Sequence, residues 1–346
     1  MNPKRRIIPV FIPHYGCRHA CVFCNQHRIT GAVNTESVLE GGGLSAIVSG
    51  MVSAMESVSC DVPIEIAFYG GSFTAIPISR QRELLEATQP FLALNPLRSI
   101  RLSTRPDCID EDILRMLKSY GVQTIELGAQ SMCDDVLRLS KRGHTADDVK
   151  NAATMIKAAG FSLILQMMTG LPGDTREKSL LTARRLAGMA PDGVRIYPTV
   201  VIKGTSLFDM WQAGEYHAPT VGEAVELCAL LCPIFFDAGI PVIRLGLNPT
   251  DELSAGDAVA GAYHPAFGEL VYSKMYYDKA VAALRALESV TDVLIVAPFG
   301  HVSWVAGYRR QNIHALKRQF NLNSIRIVEK ITGLKQGEII IEIGPL

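Results

Sequence analysis

Ile7-Ile8-Pro9-Val10-Phe11-Ile12 is a short apolar run, and five residues later comes Cys17-Arg18-His19-Ala20-Cys21-Val22-Phe23-Cys24. The run is too short, and too broken by Pro9, to serve as a signal peptide or to span a bilayer. It reads as a first strand. Spacings of four and three let all three cysteines sit on one tight loop after it. Thiolates are the ligands an iron–sulfur cluster takes. A cubane commonly uses four, and no fourth cysteine is nearby, so one iron is left open for another ligand. Phe23 stands where it can shield the cluster from water. The rival is a zinc site completed by His14, His19 or His27, because zinc accepts three Cys and one His. Arg18, His19 and Asn25 make the segment too polar for unliganded core cysteines. The remaining cysteines, Cys60, Cys108, Cys133, Cys228 and Cys232, are scattered and read as buried or inert.

Outward from this loop the sequence alternates. Strands are expected at Ile7–Ile12, Ile64–Tyr69, Ser99–Ser103, Val122–Leu127, Phe161–Met167 and Gly193–Tyr197. Helical patterns lie at Leu44–Ser57, Ser79–Leu92, Asp110–Ser119, Ala146–Ala159 and Arg176–Met189. Asp110 and Asp174 read as helix starts, and Gly121 and Gly160 as helix stops. Near-continuous apolar strands joined by helices predict parallel pairing. The class is α/β, a partial (βα)6 barrel, with a doubly wound open sheet as the rival. In either, function gathers at the C-terminal strand ends.

Polar and glycine-rich motifs do fall at those ends. Gly70-Gly71-Ser72 follows the second strand, and its glycines let backbone approach a ligand. Ser103-Thr104-Arg105 closes the third, with Arg105 suited to hold a carboxylate. Gln130 after the fourth can bond ribose hydroxyls, and Lys141-Arg142-Gly143-His144 follows as a basic step. Gly170-Leu171-Pro172-Gly173-Asp174 ends the fifth, where backbone can pair an adenine edge. Arg195-Ile196-Tyr197-Pro198 ends the sixth.

The CxxxCxxC loop, the Gly-Gly turn and the later motifs together resemble the radical S-adenosylmethionine superfamily. The resemblance implies a [4Fe–4S] cluster on Cys17, Cys21 and Cys24, with S-adenosylmethionine on the open iron. It implies reductive cleavage of the cofactor to a 5′-deoxyadenosyl radical. Phe23, Gly70, Gly71, Ser72, Ser103, Arg105, Gln130, Arg142, Gly170 and Leu171 would contact the cofactor. STRPD, IELGAQS, RGHT, GLPGD and IYPTVVIKGTSL are similar to the radical domain of the Elongator catalytic subunit and its bacterial relatives, from about Ile7 to Arg244. A weaker likeness to oxygen-independent coproporphyrinogen oxidases covers the cysteine, Gly-Gly and GLPG regions. In the Elongator subunit Glu stands where this chain has Ser103, and its first two cysteines lie further apart. No acetyltransferase domain is expected after the radical domain. RNA or tRNA is the expected substrate, and a flavodoxin or ferredoxin the electron donor. A small metabolite or tetrapyrrole substrate, or a non-catalytic zinc or cluster protein, are the alternatives.

Lys and Arg number 34, matching 34 Asp and Glu, so no whole-surface polyanion binder is indicated. No membrane span is expected, and the chain reads as cytoplasmic. Residues 1–245 read as the core, 246–270 as a linker or boundary, and 271–346 as a small α+β domain with a distant likeness to the KH fold. Gly307-Tyr308-Arg309-Arg310 does not meet that fold's GxxG loop. From residue 301 on there are seven Lys or Arg against three Glu, an excess of four positive charges. Trp304 and Tyr308 read either as base-stacking or as core residues.

Overall fold

The computed structural model describes residues 6–12, 14, 16–17, 21–25, 49–50, 53–54, 64–94, 99–251, 253–287, 290–330 and 333–343. Most of the expected helix Leu44–Ser57 lies outside them, as do Tyr15, Arg18, His19, His27 and Cys60.

Seven parallel strands form the main sheet: β1 (Arg6–Phe11), β2 (Ile64–Tyr69), β3 (Ser99–Thr104), β4 (Val122–Gln130), β5 (Ser162–Thr169), β6 (Gly193–Pro198) and β8 (Val242–Leu245). Their order in space is their order in sequence. A doubly wound sheet reverses order at a switch point, so that rival is excluded. The sheet curls into a half-barrel. Pro9 fits β1 because β1 pairs only with β2, and an edge strand tolerates a missing N–H. The six barrel strands expected are joined by a further one, at a place where the sequence also predicts a strand, near Pro241–Leu245, but outside the barrel. Val242–Leu245 pairs in parallel with β6 and makes a seventh.

The helices follow the apolar spacing. Between β2 and β3 lie α1 (Ile78–Glu86) and α2 (Gln89–Leu94), and α3 (Glu111–Ser119) opens on Asp110, whose carboxylate accepts from the Ile113 N–H at 2.7 Å. Next come α4 (Asp134–Leu139), α5 (Ala146–Ala158) and α6 (Arg176–Gly188). The cap of α6 is Thr175, one residue later than expected. Asp174 instead turns inward and accepts from the Gly170 N–H at 2.8 Å and the Ser179 hydroxyl at 2.7 Å. Gly121 and Gly160 take positive φ after α3 and α5, where an L side chain would be strained.

After β6 the chain makes β7 (Val200–Ile202), α7 (Ser206–Gln212) and α8 (Val221–Asp237), then returns for β8. Stretch 246–270, expected as a linker or boundary, carries secondary structure among its described residues. It holds a kinked turn at Leu253–Asp257, β9 (Ala258–Gly261) paired antiparallel with β7, and the start of α9 (Phe267–Arg285). Beyond α9 come β10 (Asp292–Pro298), α10 (Val302–Ala306), α11 (Gln311–Phe320), β11 (Ser324–Lys330) and β12 (Ile340–Ile343). These strands form a three-stranded sheet in the order β11-β10-β12. One continuous hydrophobic core runs from Ile8 in β1 to Ile325 in β11. Cys228 and Cys232 are fully buried in it on α8, and burial pushes the Cys228 thiol up to about 12. Among the described residues no helix is long and apolar enough to cross a membrane.

Candidate active site

A cavity of about 500 Å³ opens at the C-terminal ends of the barrel strands. One wall is the cysteine loop. Its path is dictated by the turn after β2: the Ile12 N–H donates to the Tyr69 carbonyl at 2.8 Å and the His14 N–H to the Gly70 carbonyl at 2.9 Å. Gly16 has positive φ, and a Cβ there would lie 2.3 Å from the Ser72 carbonyl oxygen, so only glycine lets the two loops cross. Cys17, Cys21, Phe23 and Cys24 all border the cavity, as does His14.

Cationic groups stand behind the thiols. Arg142 donates from Nη1 to the Cys21 sulfur at 3.1 Å and from Nη2 to the Gly128 carbonyl at 2.8 Å. Surrounding protein raises the Cys17 thiol pKa, while the Ser72 hydroxyl and the Arg105 and Arg142 guanidiniums oppose the rise. Donors of this kind favour the thiolate, which is the ligating form. Among the described residues no three His, Cys, Asp or Glu side chains converge as ligands of one metal ion. A cubane asks less, because each thiolate binds a different iron.

Beside the cysteines the cavity carries buried polar atoms that make no hydrogen bond. Among the described residues, the Ser103 hydroxyl, Gln130 Oε1 and Arg142 Nε are buried without hydrogen-bond partners, as is Arg195 Nε, although it lies 2.8 Å from Glu126. Gln130 is also strained, at φ 64°, where the β4–β5 register shifts between Gly128 and Gln130. Unpaired buried polar groups are costly, and strained non-glycine backbone at a strand end marks functional positions. Gly70, Gly71, Ser72, Ser103, Arg105, Gln130 and Arg142 all line the cavity. These residues fit a polar cofactor lying beside a thiolate-bound cluster.

Two expectations fail here. Gly170 and Leu171 are not among the cavity-lining residues. Leu171 is buried, and both backbone groups of Gly170 are taken: its N–H by Asp174 and its carbonyl by the Tyr216 hydroxyl at 2.5 Å. Arg105 does make the bidentate carboxylate contact its motif suggests, but with Asp107 of its own loop, at 2.9 and 3.2 Å.

Deeper in the cavity lies a polar layer that the motif reading passed over. Glu126 on β4 is fully buried. It accepts from the Tyr69 hydroxyl at 2.9 Å, Arg101 at 2.7 Å and Gln166 at 3.1 Å, and Arg195 lies against both its oxygens at 2.8 and 2.9 Å. Arg101 also pairs with buried Glu65 at 2.7 Å. Burial disfavours the Glu126 carboxylate, yet Arg195 and Arg101 outweigh it and hold the carboxyl below its ordinary value. Tyr69, Glu126, Gln166 and Arg195 line the cavity, and Gln166 and Arg195 stand opposite each other in register. The overlooked signal was one charged or amide residue in the middle of successive apolar strands: IEIAFY, SIRLST, VQTIELGAQ, SLILQMMT, GVRIYP.

A singly wound half-barrel with three cysteines after its first strand defines an iron–sulfur enzyme of the radical type. The Radical SAM superfamily matches residues 11–186 and the Radical_SAM C-terminal domain residues 191–277. The chain belongs to the Radical SAM superfamily, whose members use a [4Fe–4S] cluster and S-adenosylmethionine. It is 31% identical over 233 residues to the tRNA uridine(34) acetyltransferase of Methanocaldococcus infernus, covering 61% of this chain and 42% of that protein. It is 31% identical over 187 residues to human Elongator complex protein 3, covering 48% and 34%. The chain thus spans less than half the length of these relatives. In fold it matches the M. infernus Elp3 structure with a TM-score of 0.61 at 23% identity, over 81% of this chain and 64% of that one. Coproporphyrinogen III oxidase from Escherichia coli gives 0.51 at 19% identity, over 68% and 53%.

Proposed function

We propose that this chain is a radical enzyme acting on RNA of the tRNA class, with the cluster on Cys17, Cys21 and Cys24. In this reading S-adenosylmethionine lies against Phe23, Gly70, Gly71, Ser72, Ser103, Arg105, Gln130 and Arg142. The bound groups supply one chemical event, the one-electron cleavage of the cofactor's C5′–S bond to a 5′-deoxyadenosyl radical. The chain's own residues do the rest. Arg142 holds the Cys21 sulfur in place through its Nη1 hydrogen bond. Gly70 and Gly71 let backbone meet the cofactor's amino-acid end, and Gln130 presents an unused acceptor to its hydroxyls. The Glu126 layer fixes Tyr69, Gln166 and Arg195 in the deeper half, where substrate would enter.

The observation that carries the reading is the meeting of three cysteines with the Ser103 hydroxyl, Gln130 Oε1 and Arg142 Nε, buried and without hydrogen-bond partners among the described residues, on one cavity. RNA as substrate is supported by the relatives named for tRNA modification; acetyl transfer is not included, because the match covers only 42% of the archaeal acetyltransferase. The reading sets the protein in the cytoplasm with a flavodoxin or ferredoxin as reductant. It also treats residues 271–346 as an accessory α+β unit on the core 1–245. The test is anaerobic reconstitution with iron and sulfide, then incubation with dithionite and S-adenosylmethionine. Mass spectrometry should find 5′-deoxyadenosine. A colourless protein with one zinc and no cleavage would sink the proposal.

A further inference from the structure

Both matched families end by residue 277, and the unit from β10 to β12 lies beyond them. Among the described residues the two most exposed large apolar side chains are both there: Tyr308 at 66% and Phe299 at 60%. Phe299 follows the last residue of β10, and Tyr308 follows α10, a helix of five residues spanning only about 7 Å. Trp304, between them, is not free to stack on a ligand; its ring packs 4.5 Å from both Tyr272 and His301.

Cations flank the two exposed rings. The Arg309 guanidinium sits 5.1 Å from the Tyr308 ring centroid. Arg309 and Arg310 are exposed, and among the described residues neither has an ion-pair partner. Both have positive φ, 48° and 62°, strain that the packing around the turn must offset. Lys330, also exposed, pairs in register with Pro298, the residue before Phe299, at the same end of the sheet. One acid is close: Glu329 accepts from the Gly300 N–H at 3.2 Å.

Unpaired cations call for a polyanion, and open aromatic faces call for something flat. A duplex would use the charge and leave the rings idle, and so would an acidic protein. Single-stranded RNA uses both, bases on rings and phosphates on cations. We propose that the edge formed by Phe299, Tyr308, Arg309, Arg310 and Lys330 is a docking surface for single-stranded RNA. It rests on the reading of the chain as an enzyme acting on RNA, and it places part of that substrate's grip away from the radical site.

The test is fluorescence anisotropy of the full-length protein with a short labelled oligouridine, at several salt concentrations. Tyr308→Ala should weaken binding about tenfold, and Tyr308→Phe should not. A paired Arg309→Asn, Arg310→Asn variant removes both charges with a residue that tolerates positive φ. It should flatten the slope of log affinity against log salt by about 1.4. S-adenosylmethionine cleavage should be unchanged in all three. If wild-type protein binds RNA and the variants bind it equally well, this surface is wrong and the RNA reading stands. If wild-type protein binds no RNA, both fall. If the Asn pair loses affinity for an acidic flavodoxin and keeps it for RNA, the surface docks a protein and the proposal is overturned.

Discussion

The two halves of the cavity solve opposite problems. Near the cysteines, the Ser103 hydroxyl, Gln130 Oε1 and Arg142 Nε are buried and unbonded. Deeper in, Glu126 is equally buried and accepts four hydrogen bonds, with the Arg195 guanidinium against both its oxygens. Unsatisfied groups cost free energy unless a ligand completes them; saturated ones hold neighbours in place. The difference separates the wall that waits for a cofactor from the wall that positions side chains.

Breaking each half should look different. Changing Cys17, Cys21 or Cys24 to Ala should abolish the brown chromophore and 5′-deoxyadenosine formation while leaving the thermal melt of the unreconstituted protein near wild type. Cys228→Ala should leave both readouts intact, since that thiol is packed inside α8. Any cluster surviving in Cys21→Ala would contradict the assignment.

Glu126→Ala should show the reverse pattern, a large loss of stability. It strands Arg195 without its carboxylate and leaves Arg101 only Glu65; removing one partner of a buried pair costs about 3–5 kcal/mol. Urea denaturation would measure it. A loss under 1 kcal/mol would mean that water replaces the carboxylate, and the saturated wall would lose its scaffold role.

His144, beneath the cofactor wall, offers a pH test. Burial, with Arg142 nearby, lowers its pKa to about 4. In the unfolded chain it titrates near 6.5. The folded state thus favours neutral His144, so its contribution is complete above pH 6.5 and lost as pH falls toward 4. The stability of His144→Gln should depend less on pH across that window, by on the order of 2–3 kcal/mol. Parallel curves for the two proteins would remove His144 from the accounting.

The smallest effect sharpens the comparison most. Gln130→Gly removes an unbonded amide and relieves a strained φ. Stability should hold or rise by up to about 1 kcal/mol, while S-adenosylmethionine binding weakens by about 0.5–1.5 kcal/mol. Calorimetry on the reconstituted protein reads the second number. Stability and affinity falling together would place Gln130 in the scaffold.

Much of this was legible in the sequence, because the cues were local. Six strands, the cysteine loop and most of the cavity-lining residues followed from apolar runs and glycine-rich ends. What was missed depends on register. A strand near Pro241–Leu245 is legible in the sequence, but it returns only after β7, α7 and α8, so nothing local announces that it joins the barrel sheet. Glu126, Arg101 and Arg195 sit on three strands, and their pairing exists only once those strands are aligned. Gly170 misled for the same reason: its partner Tyr216 lies on a later excursion of the chain.

The crossing of Gly16 over Ser72 also sets an order of events. The cysteine loop takes its shape from a turn more than fifty residues downstream, through bonds from Ile12 and His14 to Tyr69 and Gly70. A chain still emerging from the ribosome has the cysteines but not the loop. The loop takes this path only after β1 and β2 have paired, so the three thiols are brought together by folding and not by their spacing alone.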